Sequence, residues 1–524
     1  MSSKKNFKEC VLKDRTCARM VLVVVVVRVG KPKVLLTGAS GSMGKMAFQE
    51  LLKRKDEFDI VLLLLPYKDI IKEFSKYVGG KKVPVGGRGI VEHGGLKIVY
   101  GDLINPDDVL EAVNGCDFVL HPAALIPPAA DHNPELTERV NLGGTKNIIN
   151  AIKKQPNHGE GVKLVYISSI AIYGDRLPPV HRIRVGDPLI PSVYDFYATT
   201  KLKAEREVID SGLKYWVSLR QTYIAIPNAL SLMNPILFHQ PSNTHIELIT
   251  SQDAGYGLVK CLDAPDDFWC KIYNMGGGES CRFIFKDYIR DMMKVMGIGD
   301  YRKVLERNWF CLRNFHCGWY EDSHILNRYL HHQRQSLEDH YKQVKENIPA
   351  YYKLVKIVPR GIIKKMMERM AKSEDGPLNW VYSNNQGRIN AFFGSKEKWE
   401  AIPDWDDETL NRDEESYLLD HGYDETKADE DLTIEDLRQA AKFRGGECLS
   451  EKLVDMKTKL KWKCAFGHIF EGSPTLILKG GHWCPECTPP PWFYDKIAKK
   501  NPFLAQVYYI NHSKDENNYY DSVI

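Results

Sequence analysis

Val34-Leu35-Leu36-Thr37-Gly38-Ala39-Ser40-Gly41-Ser42-Met43-Gly44 decides how the chain is read. A short apolar run ends in a glycine-rich turn, and the turn opens onto residues 45–53, which read as a helix. Gly38 permits the tight turn. Gly41 lets the backbone approach a pyrophosphate, and Gly44 lets helix and strand pack closely. Ser40, Ser42 and Met43 complete the loop, and the helix N-terminus offers N–H groups and partial positive charge to the same anion. Glycines at this spacing are weak evidence alone. Strand, turn and helix in that order point to dinucleotide binding.

The pattern continues outward. Strands are expected at 34–36, 60–65, 96–100, 118–120, 162–167, 215–219 and 271–274, with helices between them, among them 106–113 and 136–154. Strands alternating with helices mean a parallel sheet covered on both faces. Residues 34–300 are therefore expected to form an α/β doubly wound parallel-sheet Rossmann domain. Residues 1–33 form a basic N-terminal segment. Residues 301–400 read as an aromatic-rich, mostly helical extension, with helical patches at 323–347 and 361–372, that could serve as a substrate lid. Residues 400–436 hold 16 acidic residues against Arg412 and Lys427, so 401–436 reads as a solvated acidic linker. Residues 437–487 carry nine basic and five acidic residues and a cysteine cluster. Residues 488–524 form a proline-led aromatic tail.

Composition sets the limits. The chain has 524 residues, 43% hydrophobic and 27% charged, with a net charge of +4. That is an ordinary globular balance and does not suit a protein that coats nucleic acid. Apolar runs are short, the valine run at 20–27 included, and a membrane-spanning helix needs about 20 such residues. That run ends at Arg28 without a small-x-small cleavage site, so it reads as a basic tail and a strand rather than a secretory signal. The 12 cysteines are scattered apart from one cluster. A reducing, cytoplasmic setting with one metal site fits them better than a disulfide framework. No membrane partner is expected.

The second strand bears on the adenosine ribose. NAD sites usually place Asp or Glu at its end. Here it ends Leu64-Leu65-Pro66-Tyr67-Lys68, with no carboxylate before Asp69. Lys68 could meet a 2′-phosphate, with Lys45 as a second candidate. NADP(H) is expected over NAD(H).

Further landmarks follow in order. Gly101-Asp102-Leu103 follows the third strand and His121-Pro122-Ala123-Ala124 the fourth. Asn141 opens Asn-Leu-Gly-Gly-Thr-Lys-Asn. Ser168-Ser169 ends the next strand, and Tyr197-Ala198-Thr199-Thr200-Lys201 opens a helix. From residue 33 to about 297 the chain resembles an extended short-chain dehydrogenase/reductase of the NAD-dependent epimerase/dehydratase type. The resemblance implies that Asp102 and Leu103 lie at the adenine. It places Ala123, Ala124 and Asn141 beside the cofactor. It makes Ser169, Tyr197 and Lys201 the catalytic set, with Ser168 as fallback, and gives Lys201 a hold on the nicotinamide ribose.

Tyr-x-x-x-Lys occurs six times, at Tyr77, Tyr197, Tyr256, Tyr341, Tyr352 and Tyr423. Only Tyr197 follows a Ser-Ser strand end and opens a helix continuing Leu-Lys-Ala-Glu. Residues i and i+4 share a helix face, so Tyr197 and Lys201 project together. A neighbouring ammonium should lower the phenol's pKa toward working pH, and Ser169 should bind the substrate oxygen.

Sugar-nucleotide relatives usually have a Gly-Pro loop after the sixth strand. Here Leu219-Arg220 runs into Gln-Thr-Tyr-Ile-Ala-Ile-Pro227, and 233–247 lacks a basic, diphosphate-gripping character. An NAD(P)-dependent oxidoreductase acting on an apolar ketone, aldehyde or enone is the leading expectation. Its alternatives are an NAD-retaining sugar-nucleotide epimerase or dehydratase, and a cofactor-sensing regulator that binds nucleic acid through the C-terminal module. A small-molecule substrate is expected in the first two cases, and a homo-oligomer fits any of them.

Cys464-x3-His468 and Cys484-x2-Cys487 are two close ligand pairs. Three thiolates and one imidazole make a closed, tetrahedral, structural zinc site. The cluster resembles small treble-clef or zinc-ribbon modules. Cys448 and His482 are near enough in sequence to be alternative ligands.

Overall fold

Val34, Leu35 and Leu36 are all buried, because their strand is covered on both faces. This strand, β1 (Lys33–Thr37), sits inside an eight-stranded sheet. Its partners are β2 (Asp59–Leu64), β3 (Gly89–His93), β4 (Leu96–Tyr100), β5 (Phe118–His121), β6 (Lys163–Ser169), β7 (Tyr215–Gln221) and β8 (Lys271–Met275). The order is β8-β7-β6-β5-β1-β2-β4-β3. Every pairing is parallel except that of the edge strand β3 with β4. β1 pairs with β2 on one side and β5 on the other. The order therefore reverses at the end of β1, where crevices open in such sheets. The structure is a computed structural model and describes residues 30–228, 233–405, 415–487, 492–518 and 520. The valine run at 20–27, part of the acidic stretch and the prolines at 489–491 lie outside the described residues.

Alternate residues of each strand feed two cores. Val34, Leu36, Ile60 and Leu62 pack with Ala47 and Phe48 of α1 (Ser42–Lys53) and with Ala254 and Leu258 further along the chain. Leu35, Val61 and Leu63 face the other way. They pack with Val109 of α3 (Pro106–Val113), Ile148 of α4 (Gly144–Lys153) and Ala204 of α5 (Phe196–Ile209). α2 (Lys68–Ser75) follows β2, and α6 (Ser251–Lys260) carries Ala254 and Leu258. A Cβ on Gly255 of α6 would lie 2.4 Å from the Met46 Cβ, so α6 can touch α1 only because this residue has no side chain.

Two helices differ from expectation. Residues 136–154 are not one helix. A turn at Pro134–Thr137 leads into a π-helical stretch, Glu138–Gly143, before α4 begins. Residues 323–347 split into Ser323–Leu330 and Leu337–Asn347. The break follows His331, at φ +49, where buried Asp253 takes the backbone N–H groups of Arg334 and Gln335 at 2.9 and 2.8 Å.

The C-terminal part is no tethered appendage. The residues from Pro32 onward form one compact unit. Within the expected acidic linker, Leu419 and His421 are buried, and His421 bonds Asp187 at 2.9 Å and Glu425 at 2.6 Å. Charge counting overlooked these inward positions. The cysteine-bearing module is built on strands β9 (Glu447–Cys448), β10 (Leu460–Lys463) and β11 (Ile469–Gly472). Its Trp462, Phe470 and Leu476–Leu478 complete the core that holds α4 and α5. The tail adds Trp492 and Tyr494 beside Tyr194 and Phe196.

Glu205 and Arg220 are fully buried and paired at 2.8 Å. Burial alone would raise the Glu205 carboxyl. The Arg220 guanidinium and the bond from His482 instead hold it below the usual carboxylate range. Arg220 also donates to the Tyr173 hydroxyl at 2.7 Å and the Gly480 carbonyl at 2.6 Å. Glu205→Ala would strand a buried guanidinium. The expected cost is about 3–5 kcal/mol of stability, read from chemical denaturation; an unchanged midpoint would contradict it.

Candidate active site and metal centre

The glycine loop has the form a pyrophosphate needs. Gly38 has φ +63, and a Cβ there would lie 2.8 Å from the Ala123 Cα. A Cβ on Gly44 would lie 2.0 Å from the Gly38 carbonyl oxygen, so the helix starts hard against the turn. Gly41 caps α1 with no side-chain bond, which leaves the first-turn N–H groups open to an anion. Ser40, Gly41 and Ser42 are exposed. The Met43 side chain is in the core, so only its backbone belongs to the loop.

Lys68 is exposed at the start of α2, just past the carboxylate-free end of β2. Lys45 is tied to Glu73 at 2.8 Å. Asp102 accepts the Ile104 N–H at 3.1 Å and Leu103 accepts from Asn147 at 2.8 Å, which shapes the loop after β4. Ala123 donates its N–H to Thr37 at 3.3 Å, beside Gly38, and Ala124 is half-buried next to it. Asn141 differs from expectation. Its amide clasps Leu125, accepting the N–H at 2.7 Å and donating to the carbonyl at 3.0 Å. A further bond reaches Thr200 at 3.0 Å. Asn141 thus ties the loop after β5 to α5 instead of presenting its amide to a ligand.

Ser169 ends β6, and its Oγ accepts the Ala171 N–H at 3.1 Å. The Tyr197 phenol bonds Ser169. Burial pushes that phenol up to about 12, against the opposing pull of the Ser169 bond. Lys201 is buried one turn on and donates to the Ile167 carbonyl at 2.6 Å. Burial pushes its ammonium down to about 7, opposed by Glu205. The expected lowering of the phenol by Lys201 is therefore absent. The ammonium is turned toward the Ile167 carbonyl, and burial governs both groups. Ser168, the fallback, is buried with no bonded partner among the described residues. Strand alternation puts it on the face opposite Ser169.

Several groups that sequence reasoning missed surround the start of α5. Asp195 caps the helix through the Ala198 N–H at 2.7 Å and pairs with His316 at 2.8 Å. Burial and the nearby Asp195 push Asp131 up to about 7. The Arg388 guanidinium lies 4.3 Å over the Tyr194 ring. Asp195 was legible as a helix cap two residues before Tyr197. His316 and Arg388 arrive from distant sequence and carry no local signal.

In the C-terminal module the ligand atoms of Cys464, His468, Cys484 and Cys487 all lie within 4.8 Å of one another. The Cys464 Sγ is 3.8 Å from the Cys487 Sγ. The His468 Nδ1 is 3.4, 3.6 and 3.4 Å from the sulfurs of Cys464, Cys484 and Cys487. A tetrahedron with Zn–S of about 2.3 Å and Zn–N of about 2.0 Å has edges of about 3.5–3.8 Å. The donor set therefore fits such an ion. Cys448 lies outside the cluster, and His482 bonds Glu205 at 3.0 Å, so neither alternative is needed.

The module grips the helix that carries Tyr197 and Lys201. Arg206 of α5 donates to the Trp483 carbonyl at 3.0 Å and the Glu471 carbonyl at 2.7 Å. Asp210 accepts the Ser473 hydroxyl at 2.6 Å.

A doubly wound sheet, a glycine loop at its switch point and a Ser-Tyr-Lys set define a dinucleotide-dependent class of domain. Residues 34–231 match the model of the NAD dependent epimerase/dehydratase family. A 2-alkyl-3-oxoalkanoate reductase of Shewanella oneidensis is 27% identical over 181 residues, 34% of this chain and 43% of the relative. A decarboxylating sterol-4-alpha-carboxylate 3-dehydrogenase of Mus musculus is 32% identical over 121 residues, 22% of this chain and 30% of the relative. The chain thus spans less than half the length of these curated relatives. A UDP-glucuronic acid 4-epimerase structure from Bacillus cereus, in complex with NAD, covers 62% of this chain and 99% of its own, at 20% identity and a TM-score of 0.44.

Proposed function

We propose that the protein is an NAD(P)-dependent oxidoreductase that interconverts a secondary alcohol and a ketone on a largely apolar small molecule. The observation that carries this reading is the convergence of Ser169, Tyr197 and Lys201 where β6 ends and α5 begins, two strands across the sheet from β1 and its glycine loop. A nicotinamide cofactor bound in that loop would supply or accept the hydride. The chain's own residues handle the oxygen and its proton. Ser169 holds the substrate oxygen, and the Tyr197 phenol gives its proton to that oxygen in reduction or takes it in oxidation. Lys201 is fixed by its bond to the Ile167 carbonyl. The names of the reductase and sterol dehydrogenase relatives support a carbonyl substrate with hydrocarbon bulk. Initial rates of NADPH and NADH oxidation against a panel of ketones, enones and aldehydes test the reading. No turnover with any of them, together with NAD⁺ released on denaturation, would favour the cofactor-retaining epimerase or dehydratase.

NADP(H) is proposed over NAD(H), because β2 ends without a carboxylate and Lys68 is exposed at that point. Lys68→Glu should narrow or reverse the preference, read from dissociation constants for NADPH and NADH. Wild-type protein that binds NADH as tightly as NADPH would remove the basis for it.

The Cys464, His468, Cys484 and Cys487 cluster is proposed to hold one structural zinc ion. All four positions are protein ligands, so the site has no open face for chemistry.

A further inference from the structure

The segment from 350 to 372 presents apolar side chains and cations together on the outside of the extension. It begins as a tight helical turn, Ala350–Ile357, and continues as α7 (Arg360–Ala371). α7 buries Ile363, Met367 and Ala371 against the core, the i, i+4, i+8 stripe of a helix lying on a protein. Its neighbouring stripe is different. Ile362 and Met366 are 51% and 54% exposed, and Leu354 and Ile357 just before them are 61% and 77% exposed. Soluble surfaces rarely gather large aliphatic side chains in one place without a partner.

The charges around them are mostly positive. Between 354 and 372 stand Lys356, Arg360, Lys364, Lys365, Arg369 and Lys372, against Glu368 alone. Lys372 takes Glu368 at 2.5 Å, and Lys364 takes Glu306. Lys356, Lys365 and Arg369 are exposed and form no ion pair among the described residues. Tyr382, also exposed, borders the patch with the Lys372 Nζ 5.6 Å over its ring.

We infer that this surface docks the protein onto an anionic lipid bilayer, with Leu354, Ile357, Ile362 and Met366 in the acyl boundary and the cations at the headgroups. In-plane membrane helices combine these two features, aliphatic penetration and Lys/Arg attraction to anionic lipid. Aromatic side chains such as Tyr382 favour the same interface. Nucleic acid would satisfy the cations but leave the aliphatic side chains in water. No helix among the described residues is long and apolar enough to cross a membrane, so the contact is peripheral. Docking would bring the site to a bilayer, where apolar ketones and alcohols concentrate.

The test is sedimentation of the full chain with vesicles of phosphatidylcholine containing phosphatidylserine, and with phosphatidylcholine alone. The protein should pellet with the anionic vesicles, less so in high salt, and stay in solution with the neutral ones. Replacing Ile362→Glu and Met366→Glu together should cut vesicle partitioning at least tenfold. Their side chains lie outside the core, and an unchanged melting curve verifies the fold. Lys365→Glu with Arg369→Glu should do likewise, since each surface cation contributes roughly fivefold. Wild-type protein left in the supernatant, or double variants that pellet like wild type, would overturn the inference. So would binding of an RNA oligonucleotide that survives Ile362→Glu/Met366→Glu in a protein that ignores vesicles. None of these readouts depends on turnover, so a failed activity screen leaves them intact.

Discussion

Tyr197→Phe should lower turnover by about 10²–10⁴ and leave cofactor affinity nearly unchanged. The substitution removes one oxygen. That oxygen bonds Ser169 and carries the proposed proton transfer, while the glycine loop proposed to bind the dinucleotide lies in other elements. Lys201→Ala should cost both turnover and cofactor binding, because the buried ammonium and its bond to the Ile167 carbonyl are lost together. The pH profile adds a check. With the phenol pushed up to about 12, it stays protonated across neutral pH, so reduction should hold its rate there. Oxidation needs the phenol to accept a proton and should rise toward alkaline pH. Initial rates in both directions, with dinucleotide titrations by fluorescence, measure all of this. Near-normal turnover in Tyr197→Phe would mean that the proton comes from elsewhere. Asp131, pushed up to about 7 beside the start of α5, would then be the next residue to change.

If the cluster holds zinc as proposed, removing the ion by chelation or by Cys484→Ser should destabilise the whole protein and not only its C-terminal module. Structural zinc sites contribute on the order of 10 kcal/mol to the folding of small modules, comparable with the 5–15 kcal/mol that holds a typical domain. Here the module's folding is shared with its neighbour. Trp462, buried completely, donates to the Gly472 carbonyl at 2.9 Å inside the core that also packs α5. Arg206 and Glu205 of α5 and its C-cap Asp210 bond the module directly. The melting temperature should fall sharply, and dinucleotide affinity should fall with it, because Lys201 sits on the same helix. Elemental analysis, thermal melts and dinucleotide titration read the three effects. A variant that kept its metal would remove Cys484 from the ligand set. One that lost metal and stability yet bound dinucleotide as before would show that the module does not position α5.

Local chemistry made the Rossmann half readable. Val34–Leu36 is apolar throughout because β1 is covered on both faces, and Gly38 and Gly44 sit where a Cβ would strike Ala123 or the Gly38 carbonyl. The Gly44 constraint acts on a residue six positions away, and the positive φ of Gly38 belongs to that residue itself, so both leave a local signature. The four residues of the candidate metal cluster are legible for the same reason, since each close pair lies within a single turn or knuckle. The order of landmarks likewise separated Tyr197 from the other five Tyr-x-x-x-Lys matches.

What only the tertiary structure decided are the contacts between distant segments. Composition marked 401–436 as a solvated linker, but Leu419 and His421 turn inward because Asp187 is waiting for the imidazole. The C-terminal module read as a separate small domain. It is held instead by Glu205, Arg206 and Arg220, whose partners lie more than 250 residues away. The Tyr-x-x-x-Lys pattern predicted a lowered phenol, whereas burial raised it and turned Lys201 toward the Ile167 carbonyl. Spacing along a chain reports which side chains share a helix face. It carries no information on desolvation or on long-range partners, and those determine the charge on Lys201, the pairing of Glu205 and the surroundings of Tyr197.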